Sequence, residues 1–199
     1  STTTASKIKA LQDEHITHYL INLDEPCDFG DFFNGDTLVI TIPFKRSFDD
    51  PSTYIRQFRQ FLPQLEISPI RHVIFTSSTS IYPTNNQVVT ETDSINPSTD
   101  RQNVLYNVEQ LLLTSSHFNA TILRVGGLYG DDRQRRYQSL NMIGRDALVS
   151  FISRLIDRPS THSIINTVED YDPELRQHLT RENKAYKVVN NQRYKDYLN

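Results

Sequence analysis

The stretch HVIFTSSTSIYP, residues 72–83, decides the fold: a short apolar, β-branched run passes into a cluster of hydroxyl side chains and ends at a proline. An apolar run of this length, bounded by turn-forming residues, is typical of a strand that is buried on both faces, as in a parallel sheet. Ligands of open α/β sheets bind beyond the carboxyl ends of the strands. The hydroxyl cluster is therefore either a ligand contact or a solvated loop, and this stretch alone does not decide between the two.

Strands and helices alternate on both sides of this stretch. We predict further strands at 18–22 (HYLIN), 37–42 (TLVITI), 120–125 (ATILRV) and 163–167. Helices are predicted over 5–14, from Pro51, over 103–115, over 145–157 and from Pro173, and Asn191 is expected to cap a last short helix. Strands that alternate with helices of this length indicate an α/β fold. With 199 residues and no internal repeat, we expect one domain over residues 1–199.

Composition excludes several classes of partner and site. The 21 basic and 24 acidic residues nearly balance, and no basic stripe accompanies the aromatic residues, so no nucleic-acid partner is expected. The longest apolar runs are strand-sized, which predicts no membrane segment and a cytoplasmic protein. The single cysteine, Cys27, excludes an internal disulfide, and the six histidines lack the spacing of metal ligands. No metal site is therefore predicted.

Two later segments also carry a functional signal: residues 91–113 (ETDSINPSTDRQNVLYNVEQLLL) and residues 120–133 (ATILRVGGLYGDDR). In the second segment a strand runs directly into Gly126 and Gly127. Glycine permits either a close approach of another group to the backbone or a positive φ angle. A ligand contact and a tight turn would both explain this pair of glycines.

In sequence order, these three segments resemble the extended short-chain dehydrogenase/reductase family of nucleotide-sugar epimerases and dehydratases. In that family a strand ending in Ser-Ser precedes Val-Tyr-Gly, and a Glu-Thr-Asp and a helix carrying a Glu follow. A later strand ends in Arg before a Gly-rich Tyr-Gly turn. The resemblance covers about residues 1–170 and is specific as an ordered set. The chain is most similar to an epimerase-like branch in which Pro-x-Thr-x-Arg, here Pro97, Thr99 and Arg101, replaces the catalytic pair.

The resemblance implies a Rossmann-like parallel sheet flanked by helices, with NAD or NADP as cofactor and a sugar-like or small hydroxylated substrate. It places the catalytic serine at Ser78 and the adenine beside residues 22–24. The implied cofactor contacts are Thr41, Ile42, Pro43, Thr76, Ser77, Ser78, Arg124, Gly126 and Gly127. The implied substrate contacts are Tyr82, Tyr129 and Arg101, and residues from about 131 to 199 would form a small substrate-side portion. On this interpretation, Gly126→Val would weaken cofactor binding and leave stability nearly unchanged.

Two departures from the family pattern matter as much as the matches. No Gly-x-Gly-x-x-Gly turn occurs, since none of the six glycines precedes Gly30. The family's first βα unit is therefore absent from this sequence, and we expect a longer natural protein whose dinucleotide binding needs that unit. Counting back from Glu109, the position of the family's catalytic Tyr holds Arg101 and that of its Lys holds Leu105.

Two functions therefore stay open at the level of sequence. One is an NAD(P)-dependent oxidoreductase or epimerase that uses Ser78 in an altered role, which the retained Ser-Ser turn favours. The other is a non-catalytic sensor or scaffold that binds a dinucleotide. The loss of the phenol and ammonium groups that would act as the base favours the second function.

Overall fold

The structure is a computed structural model that describes residues 4–44, 50–130, 139–161 and 163–199. Its strands are β1 (Thr37–Ile40), β2 (His72–Ser78), β3 (Gln87–Val89), β4 (Asn119–Val125), β5 (Gly127–Tyr129), β6 (Met142–Gly144), β7 (Ile164–Thr167) and β8 (Lys187–Val189). Its helices are α1 (Ile8–Asp13), α2 (Ser52–Glu66), α3 (Asp100–Leu113), α4 (Arg145–Asp157), α5 (Pro173–Arg181) and α6 (Gln192–Leu198). Short 3₁₀ turns lie at Ala5–Lys7 and Thr79–Ile81.

Four parallel strands form the central sheet, in the order β1-β2-β4-β7. The register places Ser78 beside Val125, and Val125 beside Thr167, so that three strands end at the same edge of the sheet. Within the described residues β1 pairs only with β2, which makes it an edge strand. The predicted α/β fold with a parallel sheet is confirmed.

Helices cover both faces of this sheet, which explains why the strand sequences are continuously apolar. Successive residues of a strand point to opposite faces. Phe75 of β2 therefore packs against Phe58 of α2, whereas its neighbour Ile74 belongs to the core around Phe151 of α4. Each of these side chains is fully buried, which contributes about 1.5–3 kcal/mol per residue relative to an exposed position.

Most of the predicted elements are present, and α4 has the predicted bounds. The strand predicted at 18–22 is wrong: the structure has only an isolated bridge at Leu20, whose side chain is 55% exposed. An exposed leucine gains little from strand pairing. Asn191 does precede α6, but its side chain does not cap the helix, because its Nδ2 donates to Val168 O (3.1 Å) and Asp170 Oδ1 (3.2 Å) instead.

Two short parallel pairs, β3–β8 and β5–β6, have no counterpart in the predictions from sequence. Asn141 links them: its side chain donates to Lys187 O (3.0 Å) and accepts from Val189 N (2.8 Å), while its carbonyl accepts from Gly127 N (2.8 Å). Both pairs thereby join the edge at which β2 and β4 end. None of the helices in the described ranges has the length and apolar character needed to span a bilayer.

Candidate functional site

The hydroxyl cluster after β2 lies at the carboxyl edge of the central sheet. Ser78 Oγ accepts hydrogen bonds from the backbone N–H (3.2 Å) and the hydroxyl (3.0 Å) of Ser80. Arg101, in the first turn of α3, donates from Nε to Ser80 Oγ (2.8 Å), and its guanidinium lies 5.2 Å from the ring centre of Phe44. The structure therefore brings the predicted residues Ser78 and Arg101 together through Ser80. Sequence reasoning did not assign Ser80, although its place two residues after Ser78 is a common hydroxyl-turn spacing.

A second polar group lies below this edge and is almost completely buried. Glu109 of α3 and Arg124 of β4 form an ion pair with a nitrogen–oxygen distance of 2.7 Å. Ser77 donates to Glu109 Oε1 (2.6 Å), and Arg124 Nη1 donates to the hydroxyl of Tyr82 (2.7 Å). Tyr82 in turn donates to Asn166 Oδ1 (2.8 Å).

The electrostatics of this group follow from its burial. Burial opposes the charged guanidinium, but the hydrogen bonds and charge of Glu109 outweigh it, so the pKa of Arg124 is raised. Burial also raises the pKa of Tyr82, which keeps the phenol neutral. The side chains of Ser77, Tyr82 and Arg124 form hydrogen bonds with other protein groups. These side chains hold β2, α3 and β4 together, and the ligand contacts implied for them stay predictions.

Gly126 is required by close packing against the backbone of Asn141. Neither Gly126 nor Gly127 has a positive φ, so a turn that needs one does not explain this pair of glycines. A Cβ on Gly126 would lie 2.7 Å from Asn141 O and 2.8 Å from Val168 Cγ1, and a Cβ on Gly127 would lie 2.5 Å from Met142 Sδ. The expectation that Gly126→Val leaves stability nearly unchanged is therefore contradicted, because Asn141 and Val168 occupy the space beside the glycine.

Tyr129, predicted as a substrate contact, is held in place by the carboxylate of Glu169, which lies just after β7. Its hydroxyl donates to Glu169 Oε2 (2.6 Å), and Glu169 Oε1 accepts from Gly144 N (2.9 Å). The carboxylate thus ties β5, β6 and the end of β7 together. Tyr129 is partly exposed, and its contact with a substrate stays a prediction.

A cavity of about 510 Å³ lies against the edge strand β1. Thr41, Ile42 and Pro43 line it together with residues 22–24, so the structure brings these predicted cofactor positions to one place. Thr76 does not line the cavity, and its hydroxyl donates to Ile40 O (3.2 Å). The aromatic part of the wall consists of Phe29, Phe32, Phe33 and Phe61.

Gln57 is the polar side chain of α2 that lines this cavity. Gln57 of α2 donates from Nε2 to Asp24 Oδ1 (2.7 Å), which fixes the orientation of its amide. Its Oε1 is buried, and within the described residues it accepts no hydrogen bond. A ligand with flat apolar surface and a few hydrogen-bonding groups is the chemistry that such a cavity accepts. Gln57 carries no motif and could not have been assigned from the sequence.

Known proteins resemble this chain in sequence and in fold. No family model matches the chain. Protein YeeZ of Escherichia coli K12 is 29% identical over 182 residues. The match covers 83% of this chain and 66% of YeeZ, which is slightly less than two thirds of that protein's length.

Solved structures share the fold at low sequence identity. A conserved protein of unknown function from Silicibacter pomeroyi DSS has a TM-score of 0.71 at 16% identity, over 98% of this chain and 81% of its own. The UDP-glucuronic acid 4-epimerase of Bacillus cereus, solved with NAD, has a TM-score of 0.66 at 13% identity, over 93% and 72%. The UDP-N-acetylglucosamine 4-epimerase of Bacillus cereus has a TM-score of 0.67 at 12% identity, over 96% and 85%. The chain therefore has the Rossmann-like α/β fold of these epimerases.

Proposed function

We propose that the chain belongs to an NAD(P)-dependent oxidoreductase or epimerase-like protein of the short-chain dehydrogenase/reductase superfamily, acting on a sugar-like or small hydroxylated substrate. The observation that carries the proposal is the common edge at which β2 and β4 end. Ser78 lies at this edge, and the cavity beside β1 extends to Thr41, Ile42 and Pro43, which follow the carboxyl end of that strand. Ligands of this fold class bind at such an edge. The shared fold with an epimerase solved with NAD supports the choice of cofactor.

The cavity beside β1 fits the adenosine half of a dinucleotide. Its aromatic wall suits a flat base, and residues 22–24 and 41–43 offer polar groups around it. When bound, the nicotinamide would supply a site that accepts or donates hydride. The chain's own residues would hold the adenosine half and place Ser78 near the substrate.

A second candidate, a non-catalytic dinucleotide sensor, is favoured by the first two turns of α3. Arg101 is permanently charged and cannot serve as a base. Leu105 packs in the core, with 2% of its surface exposed. Neither position offers the phenol and ammonium groups that make the base in the family that the sequence resembles. The two candidates share the binding site and differ only in turnover.

Calorimetric titration with NAD and with NADP tests the binding site in both this chain and the complete gene product. Thr41→Tyr places a large ring at an exposed residue of the cavity rim, and we expect it to weaken dinucleotide binding at least about tenfold, a loss of about 1.4 kcal/mol. Gln64→Tyr adds the same ring to an exposed α2 position outside the cavity and should leave binding unchanged. If the complete gene product binds neither dinucleotide, or if both variants bind like the wild type, the proposed site is wrong.

Steady-state assays across nucleotide sugars and small alcohols, following the absorbance of reduced nicotinamide, separate the enzyme from the sensor. Because α3 offers no base at the expected positions, we expect slow turnover, and Ser78→Ala should change ligand binding more than the residual rate. Ser153→Ala, on the exposed surface of α4, serves as the control. A wild-type turnover of about 1 per second or faster, within the normal range of enzymes, would show that another group acts as the base.

A further inference from the structure

The ammonium group of Lys187 lies beyond the carboxyl end of β2. Lys187 begins β8, and its Nζ donates to the carbonyl of Tyr82 at 2.7 Å. Tyr82 directly follows the 3₁₀ turn that begins after Ser78. Asn141 bonds the backbone of Lys187 and also holds the turn at Gly127, so the strand that carries Lys187 is fastened to the ends of both β2 and β4. The amine therefore belongs to the same edge of the sheet as the proposed site.

Among the described residues, Lys187 has no counter-ion, in contrast to two other lysines of this region. Lys184 and Lys195 are ion-paired with Glu182 and Asp170, each at 2.5 Å. For Lys187 no carboxylate of the described residues lies within the 4 Å limit of an ion pair. Its side chain is nevertheless partly buried. A cation taken out of water without a partner is costly, and it gains strongly from an anion that enters the site.

Among the described residues, the groups that we find facing Lys187 supply no carboxylate. The opposite position on β3 is Gln87, and the segment from the 3₁₀ turn contributes a carbonyl. The carbonyl is that of Tyr82, whose own phenol has a pKa raised by burial and stays neutral. The adjacent Tyr186 has a pKa lowered by its hydrogen bonds with Thr180 and Arg176, and its ring lies 5.7 Å from the Arg176 guanidinium. Burial lowers the pKa of Lys187 to about 8, because it penalises the charged form of the amine.

We propose that Lys187 is the cation of an oxyanion subsite: its ammonium group, held at the Tyr82 carbonyl, binds a carboxylate or phosphate group of the substrate. An ammonium group has three N–H donors, of which the Tyr82 carbonyl takes one, so two donors are left for the ligand's oxygen atoms. The inference rests on the proposed function for the identity of the site and adds that the substrate carries a negative charge.

The test uses sulfate as the probe, because its charge does not change between pH 7 and pH 9. Sulfate binding to the chain is followed by NMR chemical shifts at both pH values, with acetate as a second probe that mimics a carboxylate. With a pKa of about 8, the protonated fraction of Lys187 falls from about 0.9 to about 0.1 over this range. We expect sulfate binding to be about tenfold weaker at pH 9 than at pH 7. A stronger response to acetate than to sulfate would identify the ligand group as a carboxylate.

Three variants separate Lys187 from other basic groups. Lys187→Met should abolish the pH-dependent binding. Lys187→Arg should retain binding without the decrease at pH 9, because a guanidinium stays charged. Lys184→Met removes an exposed, ion-paired lysine three residues away and should behave like the wild type. Far-UV circular dichroism confirms that each variant is folded, and the wild-type and Lys187→Arg titrations decide the question if Lys187→Met does not fold.

Sulfate binding that is equal at both pH values, or that persists in folded Lys187→Met, would overturn the assignment. So would a wild type that binds neither anion. Titrating NAD into the Lys187→Met variant of the complete gene product, followed by calorimetry, distinguishes a wrong assignment of Lys187 from a wrong proposed function. We expect that variant to bind NAD like the wild type, since Lys187 does not line the cavity beside β1.

Discussion

The ion pair between Glu109 and Arg124 lies at the centre of the buried polar group that also contains Ser77 and Tyr82. Its side chains are 0% and 3% exposed, and it joins α3 to β4. Glu109→Gln would leave the guanidinium charged and without its counter-ion inside the protein. We therefore expect a loss of about 3–5 kcal/mol in the free energy of unfolding, measured by urea denaturation.

Glu182→Gln is the matched control, because Glu182 is also ion-paired but its side chain is 41% exposed. Exposed ion pairs contribute little to stability, so we expect no resolved change for this variant. A loss for Glu109→Gln no larger than that for Glu182→Gln would mean that water reaches Arg124 in the folded protein, contrary to the burial of this ion pair.

At the scale of elements, the turn between β4 and β5 depends on the absence of a side chain at Gly126. Gly126→Ala would place Cβ 2.7 Å from the carbonyl oxygen of Asn141, and backbone must shift to relieve this contact. Overpacking of this kind costs about 1–3 kcal/mol. The melting temperature should fall accordingly, as measured by circular dichroism.

Gly35→Ala provides the comparison for this prediction. A Cβ at Gly35 would meet only Ile70 Cδ1, at 3.9 Å, and Gly35 has no positive φ. The same substitution should therefore change the melting temperature little or raise it, since alanine restricts the unfolded chain more than glycine does. Equal melting temperatures for the two variants would show that Asn141 and Val168 move away from Gly126 at no cost.

At the scale of the whole molecule, the two cores on opposite faces of the central sheet should unfold together. Phe58 and Phe151 are fully buried, one on each face, and the strands between them belong to both cores. We expect Phe58→Leu and Phe151→Leu each to lower the free energy of unfolding by about 1 kcal/mol within a single transition. Tyrosine fluorescence and far-UV circular dichroism should report the same midpoint, since the chain contains no tryptophan.

Val149→Ala, at a position that is 57% exposed on α4, is the control and should change stability by less than about 0.5 kcal/mol. Two separate transitions, one shifted by Phe58→Leu and the other by Phe151→Leu, would contradict the expectation of one domain over residues 1–199.

The central architecture could be predicted from local sequence because each of its elements is long enough to show its own period. The run before Ser78 predicted β2, and the run RDALVSFISRLID, residues 145–157, predicted α4 with its observed bounds. The strand predicted at 18–22 failed, since an apolar run becomes a strand only where a neighbour pairs with it and buries it.

Sequence alone therefore determined that the chain alternates strands and helices around a parallel sheet and that hydroxyl groups and glycines follow its strands. Only the tertiary structure decided what those residues contact. Gln87 pairs with Lys187 across 100 residues of sequence, and three-residue strands show no measurable period. The close packing beside Gly126 likewise arises from neighbours distant in the chain, as does the lack, within the described residues, of a partner for Gln57 Oε1 and of a counter-ion for Lys187. Burial and pairing are properties of the assembled fold, because they depend on which distant groups pack against a residue.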